Sequence, residues 1–362
     1  MRLIDCHVHL RNLGEVRHLE AIRAHVGAEK MNLVCIFSRD EVNDNPAAFV
    51  AKAEHPDRFF VFGGLDHSSH FAPGRVRAPS LLEQLDRLVA IGCDGVKMLE
   101  NKPTHRKLVD IPIDGPYFDG YFARAEEIGI PILWHVCDPE EFWDPETTPN
   151  WAKARGWGYD ETFMPKEALY AEIENVLTRH PGLRIVFAHF YFLSADLSRA
   201  ASFLDRFPNA NFDLAPGIEF LYNMSRDVDA SREFFVRYAD RIFLGTDISS
   251  THTLDEARIR LGIVRRWLET EDEYRIPDGA DFVLGPPEDG IIRGLALPER
   301  VLQKMCAGNF ERLAGTTPKP LDSNLAAEEC ERIASEVEII TGRKAEDTEA
   351  AHAAMRLRKV NQ

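Results

Sequence analysis

The stretch Leu3-Ile4-Asp5-Cys6-His7-Val8-His9 decides how this chain is read. Its apolar run predicts a β-strand, and strand side chains alternate with period 2, so His7 and His9 fall on one face. Two imidazoles on one face, opening toward the strand's C-terminal end, form half of a site for Zn²⁺ or a similar divalent ion. The competing reading is a pair of strand histidines with no ligand role. Later strands decide the matter by supplying further ligands or failing to.

Working outward, short apolar runs alternate with helix-patterned ones. Strands are expected at 3–9, 31–37, 59–65, 93–99, 130–136, 184–189, 211–215 and 242–247. Helices are expected at 15–29, from Pro46, near 80–91, and at 116–128, 165–179, 195–206, 229–239 and 254–268. Pro46 and Pro165 suit first turns, and Gly129 suits a helix stop. Eight strand–helix pairs imply a parallel α/β sheet closed into a (β/α)8 TIM barrel. An open doubly wound sheet is the alternative, but no G-x-G-x-x-G follows the first strand.

The domain reading is a barrel over 1–315 with a long polar and aromatic insertion at 138–164, then a C-terminal helical extension over 316–362. Residues 277–296 look like a loop, and 298–313 like a helix packed on the barrel. In the tail, Ala326, Cys330, Ile333, Val337 and Ile340 form a narrow apolar seam at helical spacing. Docking of this seam on its own barrel is expected. A helix shared with a second subunit, giving a homodimer, is the alternative.

Of the 362 residues, 44% are hydrophobic and 28% charged, the balance of an ordinary globular protein. A net charge of −16 argues against nucleic-acid and anionic-membrane partners and leaves a small-molecule substrate. The six cysteines lack Cys-x-x-Cys spacing, so reduced thiols are expected. No stretch approaches the roughly 20 apolar residues of a membrane span, and no signal peptide precedes the first strand. A cytoplasmic location is the resulting expectation.

A barrel presents its active site at the C-terminal ends of its strands. Strand one offers His7 and His9, strand four Lys97, strand five His135, strand six His189 and strand eight Asp247. Of only 13 histidines, four sit at or near the ends of three strands. Histidines scattered through a core would not choose the same end of separate strands.

With these residues in place, the sequence resembles the amidohydrolase superfamily, through Asp5-x-His7-x-His9, His135, His189 and Gly245-Thr246-Asp247. The phrases His180-Pro181-x-Leu183-Arg184-Ile185-Val186-Phe187-Ala188-His189 and Ala307-Gly308-Asn309-Phe310-x-Arg312-Leu313 look like the amidohydrolase-related subfamily that includes aminocarboxymuconate semialdehyde decarboxylase. The resemblance covers about 1–315. It implies one divalent metal, zinc first and Mn, Fe or Co otherwise, held by His7, His9, His135 and Asp247. Asp247 would serve as general base and then acid, and His189 would support the developing charge. Lys97 is expected to contact substrate. In the alternative it is a carboxylated bridge in a binuclear centre, with His189 on the second metal.

The expected function is a metal-dependent hydrolase, activating water against an amide, lactone or ester of a small carboxylated substrate. The first alternative is a decarboxylase or hydratase, a lyase with the same ligands. The second is a barrel that serves as a non-catalytic scaffold. Because hydrolase and lyase share ligands, a guanidinium placed to hold a substrate carboxylate over the metal is the feature that favours the lyase. Substrate contacts are expected from Lys97, Arg106, Glu219 and Trp143. The basic cluster Lys102, His105, Arg106 and Lys107 is either a solvated charge run or a device for carboxylate capture.

Overall fold

The computed structural model describes residues 1–217, 219–277 and 290–360. Its principal sheet is parallel and runs in sequence order. The strands are β1 (Ile4–His9), β2 (Lys30–Val34), β3 (Phe59–Gly64), β4 (Gly95–Asn101), β5 (Pro131–Val136), β6 (Arg184–Phe187), β7 (Ala210–Asp213), β8 (Ile242–Phe243) and β9 (Ile248–Ser249). The last two are halves of one barrel strand. β8 pairs with β7, and β9 pairs with β1. Between the halves, Cys6 N donates to Leu244 O at 2.9 Å and Asp247 N donates to His7 O at 2.9 Å. The sheet therefore closes on itself as a (β/α)8 barrel.

The eighth strand is interrupted where an unbroken run over 242–247 was expected. Asp247 has φ of +56°, which turns the chain out of the pleat. The sixth strand likewise ends at Phe187, two residues early, because His189 through Phe192 all take left-handed φ values. Gly245 lies where a Cβ would come within 3.1 Å of His7 Cβ, so a side chain there would crowd strand eight against β1.

The outer helices follow the apolar patterning. They are α1 (Val16–Val26), α2 (Asn45–Glu54), α3 (Leu81–Ile91), α4 (Pro116–Ile128), α5 (Lys166–Arg179), α6 (Leu197–Arg206), α7 (Val228–Arg237) and α8 (Leu254–Glu269). α1 is shorter than the expected 15–29 because Gly27, at φ of +73°, caps it. Gly129 ends α4 in the same way. Ser80 and Thr253 begin α3 and α8 with capping boxes.

One face of the strands packs against these helices. The other fills the barrel interior with Ile4, Cys6, Phe60, Phe62, Leu133 and Val186. The bottom is plugged by a short helix, Asn309–Ala314. Phe310 meets the Phe60 ring edge-on at 4.9 Å, and Asn309 donates to the carbonyls of Ala239 and Ile242. All six cysteines are free and buried.

The tail forms α9 (Ser323–Thr341) and α10 (Glu349–Val360). The expected seam is buried at Ala326, Cys330, Ile333 and Val337 and partly buried at Ile340. It docks on the chain's own barrel, tied there by Arg332 to Asp66 at 2.9 Å and Arg87 to Glu328 at 2.9 Å. Of the expected loop at 277–296, residues 278–289 lie outside the described residues. Ile292–Arg293 is a short strand paired antiparallel with Glu273–Tyr274. Among the described residues no helix is long and apolar enough to cross a membrane.

Candidate metal centre and active site

β1 delivers His7 and His9 to one face, as its alternation requires, and the turn after Leu244 brings Asp247 to them. One ligand atom from each of His7, His9 and Asp247 lies within 4.8 Å of the others. Asp247 Oδ1 stands 3.2 Å from His9 Nε2 and 3.8 Å from His7 Nε2. His189 and His135 complete a group of four imidazoles. The His7 and His189 ring centroids are 5.2 Å apart, and those of His189 and His135 are 4.8 Å apart.

The outer nitrogen of three of these rings is fixed. His7 Nδ1 donates to Asp213 Oδ2 at 2.8 Å, His189 Nδ1 donates to Ala215 O at 3.1 Å, and His135 Nε2 faces Cys137 O at 3.0 Å and Asp138 Oδ1 at 3.1 Å. This leaves Nε2 of His7 and His189, and Nδ1 of His135, as the lone-pair nitrogens. Burial holds the rings neutral: it lowers His7 and His135 well below the usual imidazole range, His9 to about 3 and His189 to about 4. Neutral imidazoles and a carboxylate are the donor set that a first-row divalent ion takes, so His7, His9 and Asp247 fit a metal; His135, also expected as a ligand, and His189 stand beside this group, outside the three whose ligand atoms come together.

Two carboxylates hold the frame. Asp5 accepts from the His7 and Thr246 amides and from the Thr246 hydroxyl at 2.5 Å, pinning β1 to the segment that carries Asp247. Asp213 is fully buried and accepts from His7 Nδ1, from His189 N at 2.8 Å and from Ala215 N at 3.0 Å. Asp213 was not among the expected site residues, although an acidic residue in the middle of the expected strand at 211–215 was a usable signal. Asp213→Ala should weaken Zn²⁺ binding about 10–100-fold, the usual effect of losing a carboxylate behind a ligating histidine. Competition against a chromophoric chelator would measure it.

Three of these positions carry backbone strain. Cys137, His189 and Asp247 are non-glycine residues at φ of +65°, +56° and +56°. Each such residue costs on the order of 1–3 kcal/mol, and such strain concentrates at functional sites.

Lys97 is buried at the cavity floor with Nζ 3.5 Å from His7 Nε2, and burial pulls its ammonium down to about 8. Above it opens a cavity of about 820 Å³. Its walls include Arg11 and Arg260, and its insertion side carries Phe142, Trp151, Arg155 and Trp157. Arg260, on the buried face of α8, donates to Thr246 O at 3.0 Å and stands 3.9 Å from Asp247 Oδ2.

Arg106, Glu219 and Trp143 are not among the residues lining this cavity. Arg106 is buried against Glu172 at 3.3 Å. Trp143 packs on Tyr159 at 4.7 Å within the insertion, whose inner rings are Trp151 and Trp157 instead. Burial pushes the Glu219 carboxyl up to about 7. Of the basic cluster, Lys102 is paired with Asp138 at 2.6 Å and Lys107 lies 3.9 Å over Phe163, while His105 reaches the cavity wall. Arg260 left no sequence signal, because a buried arginine on an amphipathic helix looks like any surface one.

A comparison of the sequence with curated proteins finds no match. Among solved structures, similar folds include a TIM-barrel protein of Bordetella bronchiseptica with no assigned function (15% identity, 87% of this chain and 99% of that one, TM-score 0.51). Another is 5-carboxyvanillate decarboxylase of Sphingomonas paucimobilis (14% identity, 86% and 98%, TM-score 0.50). A third is 4-oxalomesaconate hydratase of Rhodopseudomonas palustris (12% identity, 87% and 96%, TM-score 0.50). At these identities the likeness is one of fold. The amidohydrolase family model matches residues 4–315, which hold the whole barrel and every residue of the centre, and the chain belongs to that family.

Proposed function

We propose that this protein is a metal-dependent lyase that decarboxylates, or in a related form hydrates, a small carboxylated aromatic or conjugated compound. The observation that carries the reading is Arg260, a buried guanidinium in the cavity wall 3.9 Å from Asp247. Arg11 lines the same space, so a substrate carboxylate can be held over the His–His–Asp group. The rings of Phe142, Trp151 and Trp157 suit a flat substrate on the other side. That two neighbours in fold are named as a decarboxylase and a hydratase is in keeping with this.

His7, His9 and Asp247, with His135, would hold the ion, which when bound supplies Lewis-acid stabilisation of developing negative charge. The chain's own residues do the rest. Arg260 and Arg11 orient the carboxylate. In decarboxylation the carbon–carboxylate bond breaks, carbon dioxide leaves, and the carbon keeps the electron pair until a proton arrives. Asp247, on the cavity floor, is the carboxylate placed to receive a proton and pass it to that carbon. His189 keeps its own proton at Nδ1 toward Ala215 O and so offers Nε2 as an acceptor.

The test is carbon dioxide release from a panel of aromatic and muconate-like acids. Activity should vanish on chelation and return with Zn²⁺ or Mn²⁺. Arg260→Met should lower kcat/KM about 10–100-fold, the value of a hydrogen bond to a charged partner. Turnover of amides, lactones or esters without carbon dioxide release would instead establish the hydrolase that shares these ligands.

A further inference from the structure

We infer that Asp138 is a positioning residue that ties the insertion after β5 to His135 and thereby sets the affinity of the centre for its metal. This rests on the metal-dependent reading above, and its test separates the two. Asp138 is 3% exposed and sits three residues beyond His135. The left-handed turn at Cys137 folds the chain back, so that the Cys137 carbonyl and the Asp138 carboxylate both face His135 Nε2. Two acceptors at one ring nitrogen require the proton there, which leaves Nδ1 as the only nitrogen of His135 with a lone pair for a metal.

The same carboxylate is the anchor of the insertion. Both of its oxygens take Lys102 Nζ at 2.6 Å, and Oδ2 also accepts the Tyr159 hydroxyl. Tyr159 belongs to an aromatic cluster with Phe142, Trp143 and Phe163, and Lys102 lies 4.5 Å over the Trp157 ring. A continuous polar path thus runs from the rings that wall the cavity, through Asp138, to His135. A carboxylate behind a ligating imidazole raises its basicity and fixes its orientation.

The experiment compares the full-length parent, Asp138→Asn and Tyr159→Phe. Zn²⁺ affinity is measured by competition with a chromophoric chelator, without substrate. Asp138→Asn should bind Zn²⁺ about 10–100-fold more weakly. Tyr159→Phe removes only the insertion's hydroxyl contact. It should alter the tryptophan fluorescence of the insertion and lose less affinity than Asp138→Asn. The second measurement needs no variant of Asp138: in metal-free parent protein, ¹⁵N spectra of the histidine rings should show His135 with its proton on Nε2, assigned by its loss in His135→Gln. Parent-like affinity in Asp138→Asn, or a proton on Nδ1 of His135, would overturn the inference while leaving the metal reading intact. A parent protein that binds no Zn²⁺, Mn²⁺, Fe²⁺ or Co²⁺ would overturn both.

Discussion

Asp247→Asn protein should fold and retain its ion, yet turn over substrate about 10²–10⁴-fold more slowly than the parent. Asparagine keeps an oxygen at the position that faces His9 at 3.2 Å, so a ligand atom survives. What it removes is the capacity to accept a proton and give it back, and among the described residues no other carboxylate stands in the His7–His9 group to replace it. Asp213 is the nearest acid in role, but all of its contacts point outward from the centre, to His7 Nδ1 and to two amides. Arg260, 3.9 Å from the other Asp247 oxygen, adds a second effect, since it would then face a neutral amide. Both effects act in the same direction. The check is steady-state turnover together with metal content by mass spectrometry on one preparation. Full activity with metal retained would remove Asp247 from proton transfer, and loss of the metal would reduce its role to that of a ligand.

How much of this centre was visible beforehand follows from the physics of each residue. His7 and His9 were legible because a two-residue spacing on a strand has one geometric meaning. The alternation of strands and helices was legible because each barrel strand is buried on both faces and each helix on one, which leaves two distinct hydrophobic periods. The tail's seam was legible for the same reason: α9 buries Ala326 and Cys330 in the main core, and Ile333 and Val337 against Val42 and Ala350 of α10.

The unread parts depend on backbone conformation. His189-Phe190-Tyr191-Phe192 is a run of four left-handed residues, none of them glycine, and nothing in such a sequence announces it. That turn decides where the sixth strand ends and which way the His189 ring faces. Cys137 and Asp247 pose the same difficulty. Propensity describes what a residue prefers, and these positions are held where residues prefer not to be. Long side chains were the other blind spot. Arg106 and Trp143 were the natural substrate candidates by position in the chain, yet each is committed to a partner outside the cavity wall, while Arg260 reaches the wall from a helix face.

Strain at the centre has to be held by rigidity elsewhere, which gives the second large effect its interest. Lys52→Met should lower the free energy of unfolding by roughly 3–5 kcal/mol, the usual consequence of stranding one member of a buried ion pair. Lys52 on α2 and Asp94 at the start of the fourth strand are 1% and 0% exposed and in direct contact. Lys52 also donates to Gly92 O at 2.9 Å. Asp94 accepts from Val61 N on β3 at 2.8 Å and from Lys319 N, in the segment leading to the tail, at 2.7 Å. One carboxylate therefore joins the third strand, the second helix and the C-terminal extension. Methionine fills the volume of the lysine stem but leaves the Asp94 carboxylate in a dry site with, among the described residues, two amide donors and no cation. Lys52→Met/Asp94→Asn should recover only part of the loss: it removes the stranded charge, but Val61 N and Lys319 N are taken by different Asp94 oxygens, and the single oxygen of asparagine can accept from one of them. Denaturant unfolding of the parent, both single variants and the double would give the coupling. A loss below about 1 kcal/mol in Lys52→Met, the range of exposed pairs, would mean that solvent reaches the pair and that the barrel is held by its apolar core alone. A large loss accompanied by parent-like Zn²⁺ affinity at low temperature would show that the pair stabilises the barrel without setting the geometry of the ligands.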